Sequence, residues 1–256
     1  MNIEKEKEKV KNIIEKVRLE IEEKNKKQMD NQKRFYNQKI IKNDLLKFRK
    51  ELITYQNEIR IIQNPRCNIF WISWKYYQNL IFDPKNMRWR IIPICSCLPT
   101  NEPENMIWIT NCERFIPKIY NFVKSLKNVK SAVISRMGKK VKLHVHQGWE
   151  CIANHILRCH IPIIVEENKS GLIVNNQKKF HKTNGEYILF DDSINHTGFN
   201  ESENDRYILI VDFQRPKEAM SGISKVQPPD GLDLEVVRQK FKKINEYYGN
   251  LKIQNY

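Results

Sequence analysis

Residues 144 to 160 read HVHQGWECIANHILRCH, a run that holds four of the chain's six histidines and two of its six cysteines. Imidazole nitrogen and thiolate sulfur are the side-chain donors transition metals favour, so crowding of this kind points to metal chemistry. Three arrangements start from these letters. A zinc clip would use Cys151, His155, Cys159 and His160, spaced four, four and one; structural zinc sites, however, draw their ligands in pairs from two separate segments. A cage would clasp one ion with the His144-x-His146 pair and Glu150. An oxygen-activating iron site would take His146 and a second histidine from elsewhere.

That second half lies fifty residues on, in GEYILFDDSINHTGFNESENDRYILIVDFQRP, residues 185 to 216. It reads as a hairpin, with His196 on the turn and Arg206 opening the return strand. Bringing His146 to His196 requires elements that close on themselves. Between about 65 and 215, β-branched and aromatic runs stand between turn residues: RWRIIPICSC, AVISRM, VKLHVH, HIPIIVE, SGLIVN, EYILFDDS and RYILIVDF. Val141, Leu143 and Val145 alternate with Lys142, His144 and His146, which puts both histidines on one strand face. Many short strands at such spacing predict a mainly β sandwich or barrel.

Helices are expected on either side. Val10, Ile14, Val17 and Ile21 form one helical stripe, which lapses and resumes with Leu45, Phe48, Leu52 and Tyr55. This predicts a charged amphipathic helix or helical hairpin packed on the main domain, with an interaction arm for a partner as the alternative. A sustained coiled coil needs more clean heptads than these. One helix is predicted at 112–127, with Phe115, Ile119, Phe122 and Leu126 on one side. A last one follows Asp233, in capping position ahead of Val236, Val237, Phe241 and Ile244. The chain divides into a helical extension (1–61), a β domain (62–218) and a carboxyl-terminal helix (219–256).

Four pieces carry a resemblance. FDDSINH, with Arg206 ten residues after the histidine and LIVDFQRP following, is the most specific. HQG followed by LRCHIPI is the second, SRM at 135–137 the third, and WRIIPI at 89–94 the fourth. Together they make Trp89 to Pro216 resemble the aspartyl/asparaginyl β-hydroxylase family, a branch of the 2-oxoglutarate- and Fe(II)-dependent oxygenases. The first sixty or so residues fall outside these motifs. The resemblance implies a double-stranded β-helix (a jelly roll, cupin-like) and hydroxylation of a peptide side chain, Asp or Asn, using O2 and releasing succinate and CO2. It implies iron held by His146 and His196. Arg206 would pair with the distal carboxylate of 2-oxoglutarate, helped by Ser135; a guanidinium suits that task because its planar fork matches a carboxylate and keeps its charge. Arg158 and His160 would address the carboxylate nearest the iron, with Met137 and Trp89 lining the pocket.

Two departures stand out. Gly148 occupies the position, two after the first histidine, where most such oxygenases carry a metal-binding acid. The interval from His146 to Arg158 is also three residues longer than in the animal enzymes. A rival is the cupin, whose motifs are matched in part by GKKVKLHVHQGWE and GEYILFDDSINHTGFN. That reading takes His144, His146, Glu150 and His196 as ligands and gives no task to Ser135, Arg158 or Arg206. His155 and His181 match no motif and read as structural or surface residues. Asp191 and Asp192 read as anchors of the turn before His196.

The net charge of +15 raises a third class, a non-catalytic basic binding module. The basic residues are scattered, without the aromatic interleaving of a single-strand binder, so no nucleic-acid partner is expected. No apolar run approaches the roughly 20 residues that span a bilayer, and the first residues lack the apolar core of a secretory signal. The sequence therefore predicts a cytoplasmic protein with reduced cysteines, acting on a peptide or protein; it sets no oligomeric state.

Overall fold

The β-branched runs become strands in a computed structural model, which describes residues 8, 11–23, 26, 39–63, 71–73, 89–97, 100, 102–217, 219–230 and 233–251. Val10, Pro65 and most of the charged run that opens the chain lie outside the described residues. In chain order the strands are β1 (Trp89–Ser96), β2 (Ile107–Trp108), β3 (Val129–Met137), β4 (Val141–Lys142), β5 (Ile156–Ile164), β6 (Ser170–Val174), β7 (Gln177–Phe180), β8 (Ile188–Phe190), β9 (His196–Asn200) and β10 (Arg206–Gln214). They form two antiparallel sheets, ordered β2-β1-β3-β10-β5-β8 and β4-β9-β6-β7. This is the mainly β, jelly-roll architecture expected.

Register decides which side chains meet. Strand β10 runs between β3 and β5, with Arg206 opposite Met137, Ile208 opposite Ser135, Ile210 opposite His160 and Asp212 opposite Arg158. Trp89 also pairs with Met137. Because side chains alternate along a strand, these residues share one face of the six-stranded sheet. Across from them, β9 and β6 set Gly198 opposite Leu172 and His196 opposite Val174.

Two expectations need correcting. Strand pairing in VKLHVH ends at Lys142, after which Leu143 bonds through its N–H to the Gly198 carbonyl at 3.0 Å and His146 makes an isolated bridge to His196. Alternation therefore lapses, and His144 is exposed while His146 is not. The segment 185–216 is also not one hairpin: β8 pairs with β5 in the larger sheet, whereas His196 opens β9 in the smaller. The chain crosses between sheets within the FDDSINH turn, which is how one histidine comes to face the other layer.

Three of the described helices bury their apolar stripes. In α1 (Lys39–Ile62), Leu45, Phe48, Tyr55, Ile59 and Ile62 are buried, and Phe48 stacks on Tyr55 with ring centroids 4.8 Å apart. Its Glu58 carboxylate accepts the backbone N–H of Lys118 (2.7 Å) and Ile119 (3.1 Å), capping α2 (Pro117–Ser125) from another element. The single helix expected at 112–127 is instead a 3-10 turn, Thr110–Arg114, followed by α2. Proline lacks the N–H that would continue the turn, and it takes a first-turn position. The last helix is α3 (Leu234–Asn250), where Asp233 accepts from the Val236 N–H at 2.8 Å, as expected. Its final carbonyls, at Tyr248 and Gly249, accept from Arg114 at 2.7 and 2.6 Å. Ile14, Val17 and Ile21 lie exposed on the helix at 11–23. Residues 1–42 with 216–220 form one compact unit, and 43–215 with 221–256 a second, which holds both sheets. Among the described residues no helix is long and apolar enough to cross a membrane.

Candidate active site

His146 and His196 face each other across an antiparallel bridge, each donating its backbone N–H to the other's carbonyl at 2.9 Å. Their ring centroids are 4.3 Å apart. Each Nδ1 lies against a main-chain carbonyl two residues back: His144 O at 2.8 Å and Ile194 O at 2.7 Å. A carbonyl only accepts, so both rings carry their proton on Nδ1 and leave Nε2 as a bare lone pair. Burial holds both rings neutral, lowering each to about 4, with His196 adding to the effect on His146 and Arg158 to that on His196. Two neutral imidazoles with Nε2 unprotonated, each oriented by its other nitrogen, are what a transition metal requires.

Beside them stands Asp192. Gly148 donates its N–H to the Asp192 carbonyl at 2.8 Å, and a Cβ built on Gly148 would overlap Asp192 Oδ2. The carboxylate thus fills the space into which an acid at position 148 would project. Its Oδ1 is 3.4 Å from His196 Nε2 and 2.5 Å from Arg158 Nη1. Burial raises its pKa to about 6, against the lowering effect of Arg158. Asp191 does anchor the turn, accepting the Ser193 N–H at 2.9 Å and its hydroxyl at 2.6 Å, so only the first of the two aspartates has the role read from sequence.

Among the described residues no three His, Cys, Asp or Glu side chains converge to hold an ion. The four-ligand cage is not assembled: His144 and Glu150 are exposed, and Glu150 accepts from Gln227 Nε2 at 2.5 Å. Nor is the zinc clip, in which His155 is exposed and Cys159 and His160, adjacent on β5, point to opposite faces.

The far end of the cavity is cationic. Arg206 opens β10 and is 2% exposed. Its Nη2 reaches Ser135 Oγ at 3.5 Å, while Nε and Nη1 are buried with no partner among the described residues. Burial pulls its pKa down to about 9. Trp89 Nε1 donates to the same Ser135 oxygen at 2.9 Å. Arg158 is differently placed: its Nε and Nη2 fork onto Asp212 at 2.7 and 2.9 Å, and Nη1 engages Asp192. His160 is buried, and burial followed by the neighbouring His181 and Arg206 lowers its pKa well below the usual histidine value.

Trp89, Met137, His146, Arg158, His160, His196 and Arg206 line one cavity between the sheets, and Ser135 reaches it through Trp89 and Arg206. Residues picked out from four separate motifs are thereby brought together. Leu143, Leu172, Phe190, Gly198 and Ile210 complete the wall. Their apolar character gave no signal in sequence to separate them from ordinary core.

A family model described as aspartyl/asparaginyl beta-hydroxylase matches residues 3–216 and so takes in the amino-terminal sixty residues that the motifs left outside. The ornithine lipid ester-linked acyl 2-hydroxylase of Rhizobium tropici is 30% identical over 102 residues, 39% of this chain and 35% of that protein. The chain therefore spans about a third of that relative's length. Among solved structures, a 2OG-Fe(II) oxygenase family oxidoreductase from Burkholderia pseudomallei aligns with TM-score 0.37 and 13% identity, covering 55% of this chain and 73% of that one. The Cnp3 cupin domain of Schizosaccharomyces pombe aligns with TM-score 0.27 and 10% identity, covering 33% and 56%. With that family model matching residues 3–216, most of its length, the chain belongs to the aspartyl/asparaginyl β-hydroxylase family.

Proposed function

We propose that the protein is an Fe(II)- and 2-oxoglutarate-dependent hydroxylase whose cosubstrate lies between the His146–His196 pair and Arg206. The observation that carries this reading is the Arg206 guanidinium, buried beside the cavity with two nitrogens unpartnered among the described residues. A buried charge without a counter-ion is costly, and a protein keeps one where a ligand supplies the opposite charge. A diacid fits: one carboxylate for Arg206 and the Ser135 hydroxyl, the other reaching toward the imidazoles.

Iron bound by Nε2 of His146 and His196 would supply the activation of O2 that couples decarboxylation of 2-oxoglutarate to hydroxylation, with release of succinate and CO2. The chain's own part is positional. The carbonyls of His144 and Ile194 fix both tautomers, so neither ring must lose a proton before it ligates. Arg206 neutralises the distal carboxylate, and Trp89 and Met137 screen that ion pair from water. Asp212 and Asp192 hold Arg158 at the cavity wall, close to where the nearer carboxylate would sit.

For substrate, the family points to an Asp or Asn side chain of a peptide or protein. The Rhizobium relative supports a second reading, a lipid acyl chain. Succinate release with Fe(II) and 2-oxoglutarate, compared across wild type, His196→Ala and Arg206→Ala, tests the chemistry. His196→Ala should abolish turnover and metal uptake; Arg206→Ala should raise the 2-oxoglutarate requirement. Wild-type turnover unaffected by Arg206→Ala would defeat the proposal. Mass spectrometry, seeking the gain of one oxygen atom on peptides and on acyl lipids, separates the two substrates.

A further inference from the structure

Behind the cavity wall stands a histidine to which the proposed chemistry gives no task. His181 follows β7 and is fully buried. Its Nε2 lies 3.4 Å from Nδ1 of His160, and its own Nδ1 lies 3.3 Å from Ser170 Oγ. The His181 backbone N–H also donates to the Ser170 carbonyl at 2.9 Å, which fixes the two to each other through the main chain. A continuous row, Ser170–His181–His160, thus runs from the smaller sheet to the cavity beside Arg206.

We infer that His181 is a positioning residue that sets the tautomer and ring plane of His160, so that His160 turns an Nε2–H donor toward an anion held by Arg206. This rests on the reading of the cavity as a 2-oxoglutarate site. Protons decide the arrangement. Two neutral imidazoles carry one N–H each, and only one proton fits between His160 Nδ1 and His181 Nε2. If His181 gives it, His160 keeps its own proton on Nε2, and the Ser170 hydroxyl can satisfy the bare Nδ1 of His181. The cavity then gains a donor. If His160 gives it, the row runs backward into Ser170 and the cavity faces a lone pair, which repels a carboxylate. A bound anion selects the first arrangement, and His181 lets His160 adopt it without a buried, unsatisfied Nδ1. Burial and the Arg206 charge keep both rings neutral, as the count requires.

The test uses the full chain loaded with Zn(II) in place of iron, with N-oxalylglycine as the diacid probe. His181→Leu removes the donor; His181→Gln restores an N–H near the position of Nε2. Calorimetry should show His181→Leu binding the probe roughly tenfold to a hundredfold more weakly, with His181→Gln recovering most of the loss and Zn(II) affinity unchanged in both. Long-range proton–nitrogen spectra of the wild-type complex should place the proton of His160 on Nε2, a readout independent of how either variant folds. A proton on Nδ1 of His160, or equal probe affinity in wild type and His181→Leu, would overturn the inference. Wild type failing to bind the probe would defeat the cosubstrate reading as well, whereas tight binding indifferent to His181 would defeat this inference alone.

Discussion

The two ends of strand β10 treat a buried arginine in opposite ways. Just beyond its last residue, Arg215 meets Asp191 through both Nη1 (2.8 Å) and Nη2 (2.5 Å). Near that end, Asp212 takes the Arg158 fork, and Ser131 donates its hydroxyl to the same carboxylate at 2.5 Å. At the first residue, Arg206 is as deeply buried and receives no carboxylate among the described residues. One chain thus supplies aspartates to Arg215 and Arg158 but, among the described residues, none to Arg206. The proposed diacid would remove that difference by giving Arg206 its missing counter-charge.

The cavity should also be the molecule's acid-labile part, and this is the largest effect expected. His146 and His196 stay neutral to about pH 4 in the folded chain, against an ordinary value near 6.5. His160 and His181 are lowered too. As pH falls below about 6.5 the unfolded state takes up protons the folded state refuses, so stability is lost until the folded rings protonate as well. A ring whose acidity differs tenfold between the folded and unfolded chain contributes about 1.4 kcal/mol to that loss. Asp192, raised to about 6, works the other way and offsets part of this. Urea titrations of the metal-free protein should show stability falling from pH 6.5 to 4. A His146→Gln/His196→Gln variant should flatten that slope; an unchanged slope would break the contrast.

Substitution at the two arginine environments should give opposite signs. Asp191→Ala leaves Arg215 buried with its carboxylate gone and should cost about 3–5 kcal/mol of stability. Arg206→Met removes a charge that has no counter-ion among the described residues and should leave the ligand-free chain unchanged or stabilise it by about 1–3 kcal/mol. In return it should lose 2-oxoglutarate affinity by about a hundredfold or more. Denaturant unfolding and calorimetry check both; destabilisation of similar size at the two sites would mean that Arg206 is a structural residue.

Ligand should close the gap between the two ends. At about 100 times its dissociation constant, 2-oxoglutarate should raise the stability of the metal-loaded wild type by about 2.7 kcal/mol through binding alone. The gain should vanish in Arg206→Met and persist in Glu150→Ala, since Glu150 is exposed and outside the cavity. Thermal melts with and without the diacid read this directly.

How much of this was legible from the chain depends on the kind of signal. His196, Arg206 and Ser135 stand in spaced motifs, and the strands that carry Arg206 and Ser135 have a plain β pattern. Strand β9 was hidden, because HTGFN includes glycine and asparagine, residues depleted in strands. The break at Pro117 was legible in principle, since proline favours a first helical turn, but the apolar stripe on both sides concealed it. Asp191 and Asp192 are chemically identical neighbours, and only the turn's geometry sends one to Arg215 and the other to Arg158 and His196. His181 reaches His160 from the other sheet, a pairing that no local pattern encodes.

Gly148 and Asp192 give the finest test of how the cavity is built. An alanine at 148 would overlap Asp192 Oδ2 and stand 2.8 Å from Ala153 Cβ, so Gly148→Ala should destabilise by about 1–3 kcal/mol and weaken metal uptake. Asp192→Ala alone removes one of the two carboxylates that hold Arg158. Because the two positions compete for one space, the double variant should cost less than the sum of the singles, with a coupling of about 0.5–3 kcal/mol. Such coupling would mean that the overlap with the Asp192 carboxylate is what makes a side chain at 148 costly. Strict additivity would mean that the two positions do not compete for that space.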